Sequence, residues 1–169
     1  MRFVVLSLAA LLLSLALLTP SSASSDDDMV YAENMTDGCR FSIAGRDYNL
    51  WLLSGEYQVN GTNGFTYELD PCDPLLIDET PCGHKPSLHG CQFSLNTGHA
   101  FIIGVNPIAA GSNAGKVTVS YGGGDVCAAT GRPRELYLTY RCGLELGMPF
   151  FVNEVHCNYY FDWETSLVC

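Results

Sequence analysis

The sequence predicts an all-β fold, an antiparallel sandwich or flattened β-barrel of about nine short strands. Three observations carry that reading. After an apolar leader, no stretch repeats its apolar residues at helical spacing, while short runs rich in Tyr, Phe and Val recur along the chain. Clusters of Gly, Asn and Ser punctuate those runs, and 17 glycines supply the turns. Eight cysteines, all placed after the leader, imply a cross-linked scaffold.

The leader starts with Met1-Arg2 and runs apolar from Phe3 to Leu18, interrupted only by Ser7 and Ser14, before Ser21-Ser22-Ala23-Ser24. A basic start, an apolar middle and a small-residue site make residues 1–23 a secretory signal peptide processed after Ala23. A membrane-spanning anchor needs ~20 apolar residues, more than this run supplies. Residues 24–38, with Asp26-Asp27-Asp28, read as an acidic, solvated arm, and 39–169 as the domain.

Within the domain the strands are expected at Arg40–Ile43, Asn49–Leu52, Glu56–Asn60, Phe65–Glu68, Gly90–Ser94, His99–Gly104, Lys116–Tyr121, Glu135–Arg141 and Glu154–Trp163. Turn clusters separate them at Ser54-Gly55, Asn60–Gly64, Asn96–Gly98 and Gly111–Gly115. The apolar stretch Phe101–Ala110 is broken by Gly104, Asn106 and Pro107, and is too short to span a bilayer.

Composition narrows the function classes. Loss of the leader leaves about 146 residues, one domain with room for a real core. The formal charge of −10 becomes −11 once Arg2 is removed, which excludes a nucleic-acid partner, since that needs clustered Lys and Arg. An even cysteine count behind a signal peptide implies four disulfides in an oxidising compartment, with the pairing left open by the sequence. Asn34-Met35-Thr36 and Asn60-Gly61-Thr62 are N-glycosylation sequons that agree with a secretory route.

Side-chain alternation singles out unusual positions. On the strand ending at Cys142, one face carries Arg134, Leu136, Leu138 and Tyr140, the other Glu135, Tyr137, Thr139 and Arg141. Arg134 thus extends an apolar face, and its guanidinium must snorkel past the strand end or meet a buried partner. The last strand puts Cys157, Tyr159, Phe161 and Trp163 on one face, so the Tyr159 hydroxyl needs a hydrogen-bond partner if buried. Gln92 directly follows Cys91, whose disulfide would anchor the backbone presenting its amide.

From Cys39 to Cys169 the chain resembles the mannose 6-phosphate receptor homology domains, lectins of the secretory pathway. The residues that carry the likeness are Asp47–Leu53, Tyr57-Gln58-Val59, Tyr67–Cys72, Cys91-Gln92, Gly104, Tyr121–Cys127, Arg134, Cys142, Glu154, Cys157-x-Tyr159-x-Phe161-x-Trp163-x-Thr165 and Cys169. The resemblance implies a flattened β-barrel of two crossed antiparallel sheets. It also implies the pairs Cys39–Cys72, Cys82–Cys91, Cys127–Cys157 and Cys142–Cys169. A Gln, an Arg, a Glu and a Tyr grip one mannose in that family, and they fall here on Gln92, Arg134, Glu154 and Tyr159. Glu154 is the only acidic residue between Glu145 and Asp162. The implied function is a non-catalytic lectin that binds terminal mannose of high-mannose N-glycans on glycoproteins, or mannose 6-phosphate. An alternative is a glycan-recognition subunit that delivers substrate to a luminal glycan-processing enzyme.

The residue types suit a sugar: Arg gives a planar fork of donors, Gln donates and accepts, Glu accepts, and Tyr adds a hydroxyl on a stiff ring. Phosphate-binding relatives hold the phosphate on a loop before the fifth cysteine, sometimes with a divalent cation such as Mn²⁺. Here that loop is Gly122–Val126, where the amides around Gly123 and Gly124 could cradle an anion but Asp125 would repel it. No Lys or His lies in the loop, so unphosphorylated mannose is favoured, and otherwise no cofactor or metal is expected. Trp51 and Trp163 are expected in the core. Two rival readings carry less weight. Asp162 and Glu164 are a carboxylate pair of the kind a glycosidase needs, but they share one outer face. Cys82-Gly-His84 and His89-Gly-Cys91 could hold zinc, though an oxidising lumen favours the Cys82–Cys91 disulfide. No membrane anchor or sorting tail follows Cys169 in this sequence, so the expectation is a soluble lectin, an accessory subunit or a piece of something longer, placed in the lumen of the ER, Golgi or endolysosomes, or secreted.

Chain secreted from eukaryotic cells should begin at Ser24, lose mass on enzymatic removal of N-glycans, and weigh two hydrogens less per disulfide than its reduced form. Intact-mass spectrometry checks all three. A mature mass that is unchanged by deglycosylation would remove both sequons from use.

Overall fold

The computed structural model describes residues 29–76, 80–83 and 85–169; the leader, the Asp26-Asp27-Asp28 run and His84 lie outside these. Thirteen strands occur among the described residues: β1 (Val30–Tyr31), β2 (Asn34–Asp37), β3 (Arg40–Ile43), β4 (Arg46–Asn49), β5 (Tyr57–Asn60), β6 (Thr66–Leu69), β7 (Gly90–Phe93), β8 (Ala100–Gly104), β9 (Asn106–Asn113), β10 (Lys116–Gly122), β11 (Glu135–Cys142), β12 (Pro149–Val155) and β13 (Asn158–Thr165). They form a six-stranded sheet in the order β1-β9-β10-β11-β13-β12, a four-stranded sheet β5-β6-β7-β8 and a three-stranded sheet β2-β3-β4. The all-β, sandwich-like class read from the sequence is the observed one.

The sheets enclose one main core. Phe41 and Ile43 from β3, Tyr67 and Leu69 from β6, Val117 and Val119 from β10, Leu136, Leu138 and Tyr140 from β11, and Tyr159, Phe161 and Trp163 from β13 meet there. Strand β11 buries every second residue, so the alternation seen in its sequence is the alternation of its two faces. Strand β7 is buried on both faces, because Cys91 and Phe93 pack into a smaller cluster with Leu75, Leu88, Ile102 and Val105. The large sheet crosses the four-stranded one closely at Gly104, where a Cβ would lie 2.9 Å from Tyr121 Cβ and 3.0 Å from Leu136 Cβ. Disulfides join Cys39 to Cys72, Cys82 to Cys91, Cys127 to Cys157 and Cys142 to Cys169.

Several elements depart from the sequence reading. Part of the segment expected as a solvated arm is strand: β1 pairs with β9 and β2 with β3, so sheet structure begins before Cys39. The strand expected over Asn49–Leu52 ends at Asn49, whose side-chain Oδ1 accepts the Trp51 N–H at 3.1 Å and turns the chain into a 3-10 turn over Trp51–Leu53. Trp51 is consequently 44% exposed beneath the Arg40 guanidinium, whereas Trp163 is buried as expected. Strand β9 was hidden by its Asn106, Pro107 and Gly111. Pro107 sits opposite Tyr121 next to a bulge, and Gly111 lies under Met29 and the Val30 carbonyl, where a side chain would not fit.

The final segment differs most. Glu154–Trp163 is two strands, not one, because His156 and Cys157 take left-handed backbone (φ 53° and 64°) and reverse the chain. Strand β13 then slots between β12 and β11, antiparallel to the first and parallel to the second. Among the described residues, no helix is long and apolar enough to cross a membrane.

Gly124 tests how tightly this frame grips the start of β11. A Cβ there would meet the Ile102 carbonyl oxygen at 2.6 Å and the Arg134 carbonyl oxygen at 2.7 Å, both backbone atoms that cannot swing aside. Gly124→Ala should therefore destabilise the fold by about 1–3 kcal/mol. Chemical denaturation checks it, and a wild-type midpoint in the variant would show that the backbone yields.

Candidate functional site

The four side chains singled out in the sequence converge. Gln92 comes from the doubly buried β7, where it lies opposite Tyr67 of β6 and Phe101 of β8. Arg134 precedes β11 and is fixed by backbone bonds on both sides: its N–H donates to the Asp125 carbonyl at 2.9 Å, and its carbonyl accepts from Gly124 N–H at 3.2 Å. Tyr159 lies on β13 beside Leu136, and Glu154 lies on β12 directly across from Tyr159.

The contacts form one network. Arg134 Nη1 donates to the Tyr159 hydroxyl, which donates in turn to Gln92 Oε1 at 3.0 Å. Gln92 Nε2 points the other way, to the Tyr67 hydroxyl at 3.2 Å and Glu154 Oε2 at 3.5 Å. Asn63 bridges the same two groups, donating to Tyr67 at 2.8 Å and to Glu154 at 3.3 Å. Gln92, Arg134, Tyr159 and Tyr67 are buried, whereas Glu154 is exposed, so the carboxylate marks the solvent side.

Electrostatics sets each group's role. Burial pushes the Tyr159 phenol well above its ordinary value, against the opposing pull of Arg134, and it stays a neutral donor at any working pH. Burial also raises Tyr67, offset in part by the hydrogen bonds from Asn63 and Gln92. Arg134 lies over the Phe101 ring, 4.2 Å from its centroid, an arrangement that stabilises the cation. Its Nε is buried with no hydrogen-bond partner among the described residues, although the residue is only 8% exposed. A buried guanidinium with an open donor is an unsaturated site.

The Gly123-Gly124-Asp125 loop lies beside the start of β11, and its groups are engaged within the protein. Gly124 N–H binds the Arg134 carbonyl, Asp125 N–H binds the Ile102 carbonyl at 2.8 Å, and Asp125 Oδ2 accepts the Ile102 N–H at 2.8 Å. Lys85, remote in sequence, donates to the Gly123 carbonyl at 2.8 Å, so a cation reaches this loop from outside it. Asn34 and Asn60 are both exposed, on β2 and β5. The Cys82 and Cys91 sulfurs are bonded to each other, and His89 Nδ1 binds the Asp70 carbonyl at 2.8 Å, which leaves no thiolate pair for zinc.

Tyr67, Asn63 and Phe101 were not singled out in the sequence. Asn63 sits in a Gly-Asn cluster that reads only as a turn, and Tyr67 in a strand whose aromatic residue reads as core. The register of β6 against β7 would have exposed Tyr67, because it places that ring opposite Gln92.

No protein-family model matches the sequence. Domain 11 of chicken IGF2R is similar in structure, with a TM-score of 0.64 and 20% sequence identity over 82% of this chain and 95% of that one. Domain 11 of the echidna mannose 6-phosphate/IGF2R receptor gives a TM-score of 0.59 at 20% identity, over 86% of this chain and 96% of that one.

Tyr67→Phe would leave the buried Gln92 amide short of an acceptor, while the exposed Asn63 amide can turn to water. The substitution should cost about 1–3 kcal/mol in a denaturation experiment without altering the disulfides. An unchanged stability would mean that the Gln92 amide re-pairs elsewhere. The likeness in strand arrangement at this low identity is one of fold: the chain has the fold of these domain 11 structures.

Proposed function

We propose that this chain is a mannose-recognising lectin domain of the secretory pathway, with Gln92, Arg134, Glu154 and Tyr159 as hydrogen-bonding partners of one sugar. The observation that carries the reading is the buried Arg134 with an open Nε donor, linked through Tyr159 and Gln92 to Glu154 at the solvent side. Glycan hydroxyls both donate and accept, so one pyranose ring can meet an Arg donor, a Glu acceptor and two groups capable of either. Mannose differs from glucose in its axial 2-hydroxyl, and groups held rigidly by a network can discriminate such a difference. Glu154, exposed at the edge, is where the sugar would enter, displacing the Asn63 amide from the carboxylate.

Terminal mannose of high-mannose N-glycans fits better than mannose 6-phosphate. The amides of Gly124 and Asp125 are committed to the backbone and the Asp125 carboxylate faces the same loop. Phosphate would need a cation to offset Asp125, either Lys85, which donates to the Gly123 carbonyl, or a divalent ion such as Mn²⁺. Among the described residues, no group of three or more His, Cys, Asp or Glu could hold a metal ion. Binding is favoured over catalysis because Asp162 forms an ion pair with Arg141 while its neighbour Glu164 faces solvent, so the outer carboxylate pair does not face a shared substrate position. Four disulfides fit an oxidising lumen or a secreted protein.

A glycan array probed with the mature chain tests the reading, beside Arg134→Ala and Glu154→Gln and with or without Mn²⁺. Unphosphorylated high-mannose glycans should bind without the metal. Loss of the Glu154 charge should weaken that binding about tenfold or more, because a hydrogen bond to a charged group contributes ~1.5–3 kcal/mol. Metal-dependent binding to phosphomannose alone would shift the ligand class. Equal binding by both variants, or none by the folded wild type, would remove the mannose site.

A further inference from the structure

We propose that the outer face of the β11–β13 pair carries a second pocket, separate from the inner cluster, that binds a neutral saccharide unit. Glu135 and Asn158 are cross-strand neighbours whose side chains alternate with Arg134 and Tyr159, and so face away from the inner network. With Thr130, Arg132, Pro133 and His156 they line a cavity of about 540 Å³. That lies within the ~300–1,000 Å³ of ordinary small-ligand sites.

The walls are built rather than incidental. The 127–133 loop is closed by Cys127 N–H to the Arg132 carbonyl and Gly131 N–H to the Cys127 carbonyl, both at 2.8 Å, and by a bridge between Val126 and Pro133. The Cys127–Cys157 disulfide ties this loop to the turn that carries His156. His156 holds left-handed backbone at φ 53° in a tight hairpin turn, a place that favours Asn or Gly. Non-glycine residues adopt this backbone uncommonly, His more readily than most, and the His156 side chain lines the cavity.

The lining selects the ligand class. Arg132 and Glu135 oppose each other in charge, so neither a free anion nor a free cation is matched. Thr130, His156 and Asn158 add donors and acceptors to the lining, which an apolar ligand would leave unpaired. A polyhydroxyl ring satisfies both conditions. Next along the same face, Tyr137 donates to Glu135 and stacks on Tyr160 with centroids 4.9 Å apart, a flat aromatic surface over which a glycan can continue.

The test is an amide NMR titration of the isotope-labelled mature chain with methyl α-mannoside and N,N′-diacetylchitobiose as neutral probes and citrate as an anionic control. At millimolar concentration one or both neutral sugars should shift the amides of Thr130, Arg132, His156 and Asn158. Arg132→Ala and His156→Asn, both at exposed positions, and the second suited to left-handed backbone, should each weaken that binding about tenfold. Glu154→Gln, which alters only the inner cluster, should leave it intact, so failure here and failure of the mannose reading are told apart. No shift at these amides with either sugar, shifts with citrate alone, or binding undiminished in either pocket variant would overturn the proposal.

Discussion

At the tip of β12 and β13, His156 and Cys157 reverse the chain in two residues, both in left-handed backbone that a side chain occupies at a cost of roughly 1–3 kcal/mol each. The Cys127–Cys157 disulfide holds that turn against the neighbouring loop. Both faces of the sheet depend on it. On the inner face it sets the register that puts Glu154 opposite Tyr159; on the outer face it places His156 and Asn158 against Arg132 and Glu135. A looser turn would let β12 slip, and a slip of one residue would send Glu154 to the other face.

The inner cluster follows the physics of a charge held out of water. Arg134 gains the Phe101 ring and the Tyr159 hydroxyl, and Tyr159 is oriented by Gln92, which is oriented in turn by Tyr67. Each polar group restricts the next, so the network presents one arrangement rather than several. Arg134 Nε, a buried donor with no hydrogen-bond partner among the described residues, gives that arrangement a direction.

Much of this was legible in the sequence, and what was hidden has identifiable causes. The two-residue periodicity of Leu136, Leu138 and Tyr140 was readable because that strand is buried on one face only. Strand β9 was not, because Pro107 and Gly111 resemble breakers until their partners are known. Glu154 and Tyr159 are five positions apart in sequence. In one continuous strand they would face opposite ways, and only the hairpin brings them together. Nothing in the spacing announces a turn at His-Cys, since neither residue type favours one. Asn63 and Tyr67 belong to the cluster through cross-sheet packing, which a linear pattern does not encode.

Strand β13 is the last in chain order, yet it lies inside the large sheet, between β11 and β12. During synthesis on the ribosome, β9, β10 and β11 are complete while the edge of β11 still has no neighbour, and Cys127 and Cys142 await partners encoded downstream. An open edge and unpaired thiols are the features that invite mispairing with other chains. Folding of this domain is therefore gated by the arrival of its final strand, and nascent chains will lean on the chaperones and disulfide isomerases of the oxidising compartment until it docks.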